Sequence, residues 1–180
     1  MSETMDSETV EDGQIDLEQL ALRSGQAEAV ERTLRPADPV VGGEPFPIEG
    51  GTVETRIEIS KTTSGYAMRL LASTTIGGPC VRCLDPTTLD LEIESREVDQ
   101  EGTDDPELSS PYLEDGILDA TSWLQDAIRL DLPEKILCRP DCAGICPECG
   151  ANLNETGPEH SHEPPPDPRF AKLRELQGED

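Results

Sequence analysis

Residues 138–154 read C-R-P-D-C-A-G-I-C-P-E-C-G-A-N-L-N, and residues 159–162 follow as E-H-S-H. Four cysteines (Cys138, Cys142, Cys146, Cys149) lie in this run, and His160 and His162 are the only histidines in the chain. The other two cysteines, Cys80 and Cys83, form a C-V-R-C far upstream. Zinc takes four nitrogen or sulfur ligands in a tetrahedron, and a C-x-x-C turn offers it two thiolates from one side. Cys146-Pro-Glu-Cys149-Gly150 has proline inside the turn and glycine just after it, where a positive φ is often needed. Paired C-x-x-C knuckles are a strong zinc signal.

Disulfides are the competing reading of six cysteines. The N-terminus, M-S-E-T-M-D-S-E-T, is acidic and lacks the apolar core of a signal peptide. No run approaches the roughly 18 apolar residues of a membrane span. A cytoplasmic setting is therefore expected, where thiols stay reduced and clustered cysteines favour metal. A catalytic thiol fits less well, since the histidines stand beside the cysteines in a proline-rich segment. An open catalytic zinc would want three protein ligands, a water and a carboxylate base. Glu148 and Glu159 lie near, but acids are common throughout this chain, so structural zinc is the reading.

Eight donors make two tetrahedral sites, or one site with spares, so one or two zinc ions are expected. The preferred pairing joins Cys80 and Cys83 to Cys138 and Cys142, and leaves Cys146, Cys149, His160 and His162 as a second, locally closed site. The other pairing joins the two C-x-x-C knuckles as a ribbon.

Composition bounds the rest. The 180 residues suffice for one domain with tails. A hydrophobic fraction of 34% and an aromatic fraction of 3% imply a small core and a real dependence on metal for stability. The net charge of −25 removes the basic footprint that direct nucleic-acid binding needs. Basic proteins are the expected partners, with RNA reached through them; the bland alternative is that the acidity serves solubility, as in a salty cytosol.

Along the chain, residues 1–14 read as a disordered acidic tail. Ile15–Leu22 is short and amphipathic, a strand or a helical turn packed on the body. Residues 24–47 read as loop, with a helical turn around Ala27–Leu34. Val53, Thr55, Ile57 and Ile59 alternate with polar residues, as do Tyr66, Met68, Leu70, Ala72, Thr74 and Ile76, and then Leu89, Leu91 and Ile93. Three antiparallel strands follow, with Cys80 and Cys83 at a hairpin tip between the breakers Gly77-Gly78-Pro79 and Asp85-Pro86. Residues 99–111 read as acidic loop. Ala120, Trp123, Leu124, Ala127 and Ile128 make one face of a helix, with Asp119 as N-cap, Trp123 in the core and Pro133 as the stop. Asp167-Pro168-Arg169 starts a short helix carrying Phe170, Leu173 and Leu176, which packs on the domain or docks a partner. The expected fold is α+β: a small antiparallel β-sheet or partial barrel with one covering helix, plus a cysteine-rich zinc-binding C-terminal segment. Its parts are the tail 1–14, the body 15–137 with the C-x-x-C hairpin, the Cys/His segment 138–166 and the helix and tail 167–180.

These pieces together resemble the YceD family, a bacterial and plastid family associated with accumulation of large-subunit ribosomal RNA. The resemblance rests on Cys80-Val-Arg-Cys83-Leu84, the acidic segment before an amphipathic helix and Leu132-Pro133, the run from Cys138 to Asn154, and Asp167-Pro168-Arg169 with its leucines. It covers roughly residues 15–176. Long-tailed members often carry C-x-C where this chain has His160-Ser-His162, a change that keeps the ligand count because zinc accepts imidazole. The resemblance implies a non-enzymatic role in synthesis, processing or stability of 23S ribosomal RNA. The partner expected is a basic ribosomal protein or a pre-50S particle, with no membrane and no small-molecule substrate. The alternative is a zinc ribbon binding RNA directly through Arg129, Lys135 and Arg139, or Arg169, Lys172 and Arg174. A metallo-hydrolase lacks any H-E-x-x-H or carboxylate-rich motif.

Overall fold

The computed structural model describes residues 13–162 apart from 104 and 158. The tail helix expected at 167–180 and residues 1–12 lie outside the described residues. Chain order is β1 (Gln14–Asp16), β2 (Ala27–Leu34), β3 (Val40–Val41), β4 (Glu44–Pro45), β5 (Val53–Lys61), β6 (Gly65–Pro79) and β7 (Pro86–Gln100). After these come β8 (Leu113–Glu114), β9 (Ile117–Asp119), α1 (Ala120–Asp131) and α2 (Leu153–Thr156).

The three alternating stretches are β5, β6 and β7, and they pair antiparallel as expected. A fourth strand joins them: Ala27–Leu34 pairs with β5 along its whole length, giving the open order β2-β5-β6-β7. The helical turn expected there is corrected to a strand. Its inward residues are Val30, Arg32 and Leu34, so a charge in mid-row hides the alternation. The acidic loop expected from 99 starts later, because β7 runs to Gln100, opposite Gly65. Ile15–Leu22 opens with β1, which pairs with β9 and so with β8 in a three-stranded sheet.

One face of the main sheet is apolar. Ile57, Ile59, Met68, Leu70, Leu91 and Ile93 pack with Trp123, Leu124, Ala127 and Ile128 of α1 in one core. Asp119 caps α1 by accepting from the backbone N–H of Ser122 at 2.9 Å. Trp123 is 1% exposed, stacks on Tyr112 and donates its indole N–H to Ser95 Oγ at 2.8 Å, so its polar edge is satisfied inside the core. The opposite face carries a charge ladder across all four strands: Glu31, Arg56, Glu58, Arg69, Glu94 and Arg96.

The β6–β7 hairpin decides where the cysteines go. Its pairing is continuous from Gly65–Gln100 to Pro79–Pro86, which carries residues 80–85 beyond the helix-covered body. The distal half is braced by residues 38–48. Ile48 bridges Ile76, the Gly77 N–H donates to Pro47 O at 3.0 Å, and the buried Phe46 ring lies directly on Gly78. A Cβ at position 78 would collide with that ring, whereas one at position 77 meets nothing closer than Thr87 O at 4.0 Å. Gly78→Ala is expected to lower unfolding free energy by about 1–3 kcal/mol through overpacking. Gly77→Ala should stay within about 0.5 kcal/mol. Urea unfolding of both variants at one fixed metal concentration checks the pair; equal stabilities would contradict this packing.

Candidate metal centre

The hairpin tip is shaped before any ligand is considered. Cys80 N–H donates to Asp85 O at 2.8 Å, and Leu84 N–H donates to Cys80 O at 2.9 Å. After α1 the chain leaves the helix at Leu132-Pro133 and returns to the tip, where Val81 N–H donates to Ile136 O at 3.0 Å. Arg82 Nη1 donates to Cys142 O at 2.8 Å, and Arg82 O accepts from Ile145 N–H at 3.2 Å. The post-helix segment is thus sewn to the tip by backbone and guanidinium bonds.

This brings Cys80, Cys83, Cys138 and Cys142 together, with their sulfurs all within 4.8 Å of one another. Cys80, Cys83 and Cys142 are buried and pack with Leu137 in a small cluster separate from the main core. Cys80 Sγ stands 3.8 Å from Cys142 Sγ, and Cys83 Sγ stands 3.6 Å from Cys138 Sγ. Zinc–sulfur bonds of about 2.3 Å give a tetrahedron with edges of about 3.8 Å. A disulfide would need about 2.05 Å. All six cysteines are free.

The second group is Cys146, Cys149, His160 and His162, whose donor atoms also lie within 4.8 Å of one another. The knuckle closes through Gly150 N–H to Cys146 O at 2.9 Å and Cys146 N–H to Ala151 O at 2.8 Å. Cys149 Sγ lies 3.5 Å from His160 Nε2, and the two Nε2 atoms lie 3.0 Å apart. Zinc–nitrogen bonds of about 2.0–2.1 Å put mixed edges near 3.6 Å and nitrogen–nitrogen edges near 3.3 Å. Glu148 Oε2 stands 3.5 Å from His162 Nδ1, on the ring nitrogen that faces away from the cluster. Of the two pairings open in the sequence, the structure assembles the one that keeps the knuckles apart.

The electrostatics split the first donor set, with Cys80 and Cys142 lowered and Cys83 and Cys138 raised. Burial pushes the Cys80 thiol up, but backbone N–H donors from Cys83, Arg82 and Cys138 outweigh it and hold the group at about 6. Backbone N–H groups of Cys149 and Glu148 bring Cys146 down to about 6. Cys142 is lowered chiefly by the side-chain amide of Asn154. In the first set Cys83 and Cys138 go the other way: a backbone N–H from Asp85 lowers Cys83, but burial and the side chains of Asp85, Cys138 and Cys80 outweigh it, and burial pushes Cys138 up. Zinc binds the deprotonated form, so a bound cation would have to supply the charge that holds those two as thiolates. The donor chemistry and the spacing both fit a four-coordinate ion with no open position.

Asn152 and Asn154 were not singled out by ligand chemistry. Both lie on the segment bracketed by Cys149 and His160 and reach out of it. Asn152 Nδ2 donates to Asp85 Oδ2 at 2.9 Å, and Asn154 Nδ2 donates to Cys142 Sγ at 3.4 Å. The quoted C-G-x-N-L-N held the signal: Asn at a helix start is a cap, and Asn152 does accept from Asn154 N–H at 3.0 Å.

These features define a β-rich domain with a long hairpin whose tip and post-helix segment carry two Cys/His clusters. A family model described as "Large ribosomal RNA subunit accumulation protein YceD" matches residues 68–177, and the chain belongs to that family. Over 137 residues it is 31% identical to an uncharacterised protein of Mycobacterium tuberculosis, covering 72% of this chain and 64% of that protein's length. An uncharacterised protein of Mycobacterium leprae is 28% identical over 174 residues, 92% of this chain and 77% of its own length. A maize protein named "Large ribosomal RNA subunit accumulation protein YCED homolog 1, chloroplastic" is 41% identical over 39 residues, 22% of this chain and 13% of the maize protein. No solved structure matches the chain.

Gly144 sits between the two clusters with φ +82°, and a Cβ there would lie 3.1 Å from Arg82 O. Gly25 has a similar φ of +85° in open space. Gly25→Ala should cost about 1–2 kcal/mol for the left-handed backbone alone. Gly144→Ala should cost more and should also raise the alkylation rate of the buried Cys142. Comparison of the two variants by denaturation and thiol alkylation checks this; an unchanged Cys142 rate would contradict it.

Proposed function

We propose that the chain is a non-enzymatic, cytoplasmic ribosome-biogenesis factor that supports synthesis, processing or stability of 23S ribosomal RNA. One structural zinc ion holds its C-terminal segment on the hairpin tip, and a second closes residues 146–162 on themselves. The observation that carries the reading is one of extent: the segment matched by the large-subunit RNA accumulation family, 68–177, is the segment that holds all eight donors. Zinc supplies a cross-link here, since each ion would be enclosed by four protein donors.

Contact through protein is favoured over contact with RNA. The net charge is −25, and several basic side chains are engaged by acids: Arg56, Arg69 and Arg96 on the sheet, Lys61 by Glu101, Arg129 by Asp126 and, after the helix, Arg139 by Asp141. Arg129 and Arg139 belong to one of the two basic groups that direct RNA binding would need. An acidic surface of this kind attracts a basic ribosomal protein at long range, and a pre-50S particle only through such a protein. Among the described residues no helix is long and apolar enough to cross a membrane.

Depletion of the protein in its own host should lower mature 23S relative to 16S ribosomal RNA. The full chain should restore the ratio and Cys83→Ser should not. An unchanged 23S to 16S ratio after depletion overturns the assignment.

A further inference from the structure

The two clusters are unlike in how they are held. Cys80, Cys83 and Cys142 are buried, and the first set is split between the hairpin tip and the post-helix segment. The second set comes from residues 146–162 alone, and Cys149 and His162 are exposed. Yet the second cluster's segment reaches the first cluster's sulfur. Asn154 lies in the short helix α2, between Cys149 and His160, and its amide is fully used. Oδ1 accepts from Ala143 N–H at 2.8 Å and from Arg139 Nη2 at 2.9 Å. Nδ2 donates to Asn152 Oδ1 at 2.9 Å and to Cys142 Sγ at 3.4 Å. A backbone N–H and a guanidinium can only donate, so they fix which end of the amide is oxygen. The N–H end must therefore face the thiolate.

We infer that Asn154 is the positioning residue that couples the two metal sites, so that filling the Cys146/Cys149/His160/His162 cluster tightens the Cys80/Cys83/Cys138/Cys142 cluster. An ion at the second cluster joins Cys149 to His160 and closes the segment between them. That closure removes chain freedom from the segment which Asn154 must otherwise give up to reach Cys142. The amide then stabilises the Cys142 thiolate from outside the ligand set, a contact of the kind whose loss typically weakens metal binding 10–100-fold. Coupling of this kind is reciprocal, so filling the first cluster tightens the second by the same factor. Asn152, bonded to Asp85 just past the knuckle, sets the segment against the same tip. The inference rests on the metal reading above.

Cobalt(II) tests it, because a four-thiolate site and a two-thiolate, two-imidazole site absorb at different visible wavelengths and can be titrated separately in one chain. Asn154→Asp keeps both acceptor bonds to Ala143 and Arg139 and turns the donor facing Cys142 into a carboxylate oxygen. It should weaken the four-thiolate site about 10–100-fold and spare the sheet, read by circular dichroism. Asn154→Ala serves as the second variant should the added charge disturb the segment. His160→Ala/His162→Ala should weaken the four-thiolate site about 5–150-fold, although neither histidine belongs to it. Combining those changes with Asn154→Ala should weaken it by clearly less than the product of the two separate effects, the remainder passing through Asn152 and Asp85. Unchanged four-thiolate affinity in the double-histidine variant, or full additivity in the triple variant, overturns the coupling while the metal reading stands. A parent chain that takes up no cobalt at all overturns the metal reading and the coupling with it.

Discussion

Four thiols that lie up to 62 residues apart must converge on one point, and most of the fold follows from that requirement. One pair rides on a hairpin tip; the other arrives after a helix. The sulfurs meet only if the hairpin is stiff and the helix ends at a fixed distance from it. Fifteen consecutive residue pairs stiffen the hairpin, Phe46 and Ile48 brace its outer half, and α1 is pinned to the inner half by Trp123. The chain leaves α1 at Leu132 already extended and meets the tip within a few residues.

This division of labour explains a chain so poor in aromatics. The main core is mostly aliphatic, between one face of the main sheet, α1 and the small β1-β9-β8 sheet, with Trp123 and Phe46 as its buried aromatics. The thiol cluster with Leu137 is a second, detached core that apolar burial alone would hold weakly. A metal ion bound there would replace the missing hydrophobic mass, and its binding energy would become folding energy for residues 138–162. The charge ladder on the outer face contributes little to stability, because its members are substantially exposed. It lets an acidic sheet face tolerate its own charge density.

Much of this was legible in the chain itself. Strict alternation located β5, β6 and the start of β7, and the 3.6-residue spacing with Asp119 located α1 and placed Trp123 in the core. The breakers around Cys80 and Cys83 placed them at a turn. β2 was not legible, for a physical reason. Val30 and Leu34 are four apart, a spacing that serves either a helix or a strand, and Arg32 interrupts the inward row between them. The helix-like reading won locally; pairing with β5 decides it. The choice between ligand pairings was open for a similar reason, since residue types fix the donor chemistry but only the hairpin register fixes distance. Asn152 and Asn154 were visible as a motif, but their partners, Asp85 and Cys142, are set by the folded chain.

The central claim is that metal ions close both donor sets and fasten residues 138–162 to the hairpin. Native mass spectrometry of the purified full chain tests it most directly. The account predicts two zinc ions per chain with no disulfide. A chain with no bound zinc and all six thiols free would contradict it.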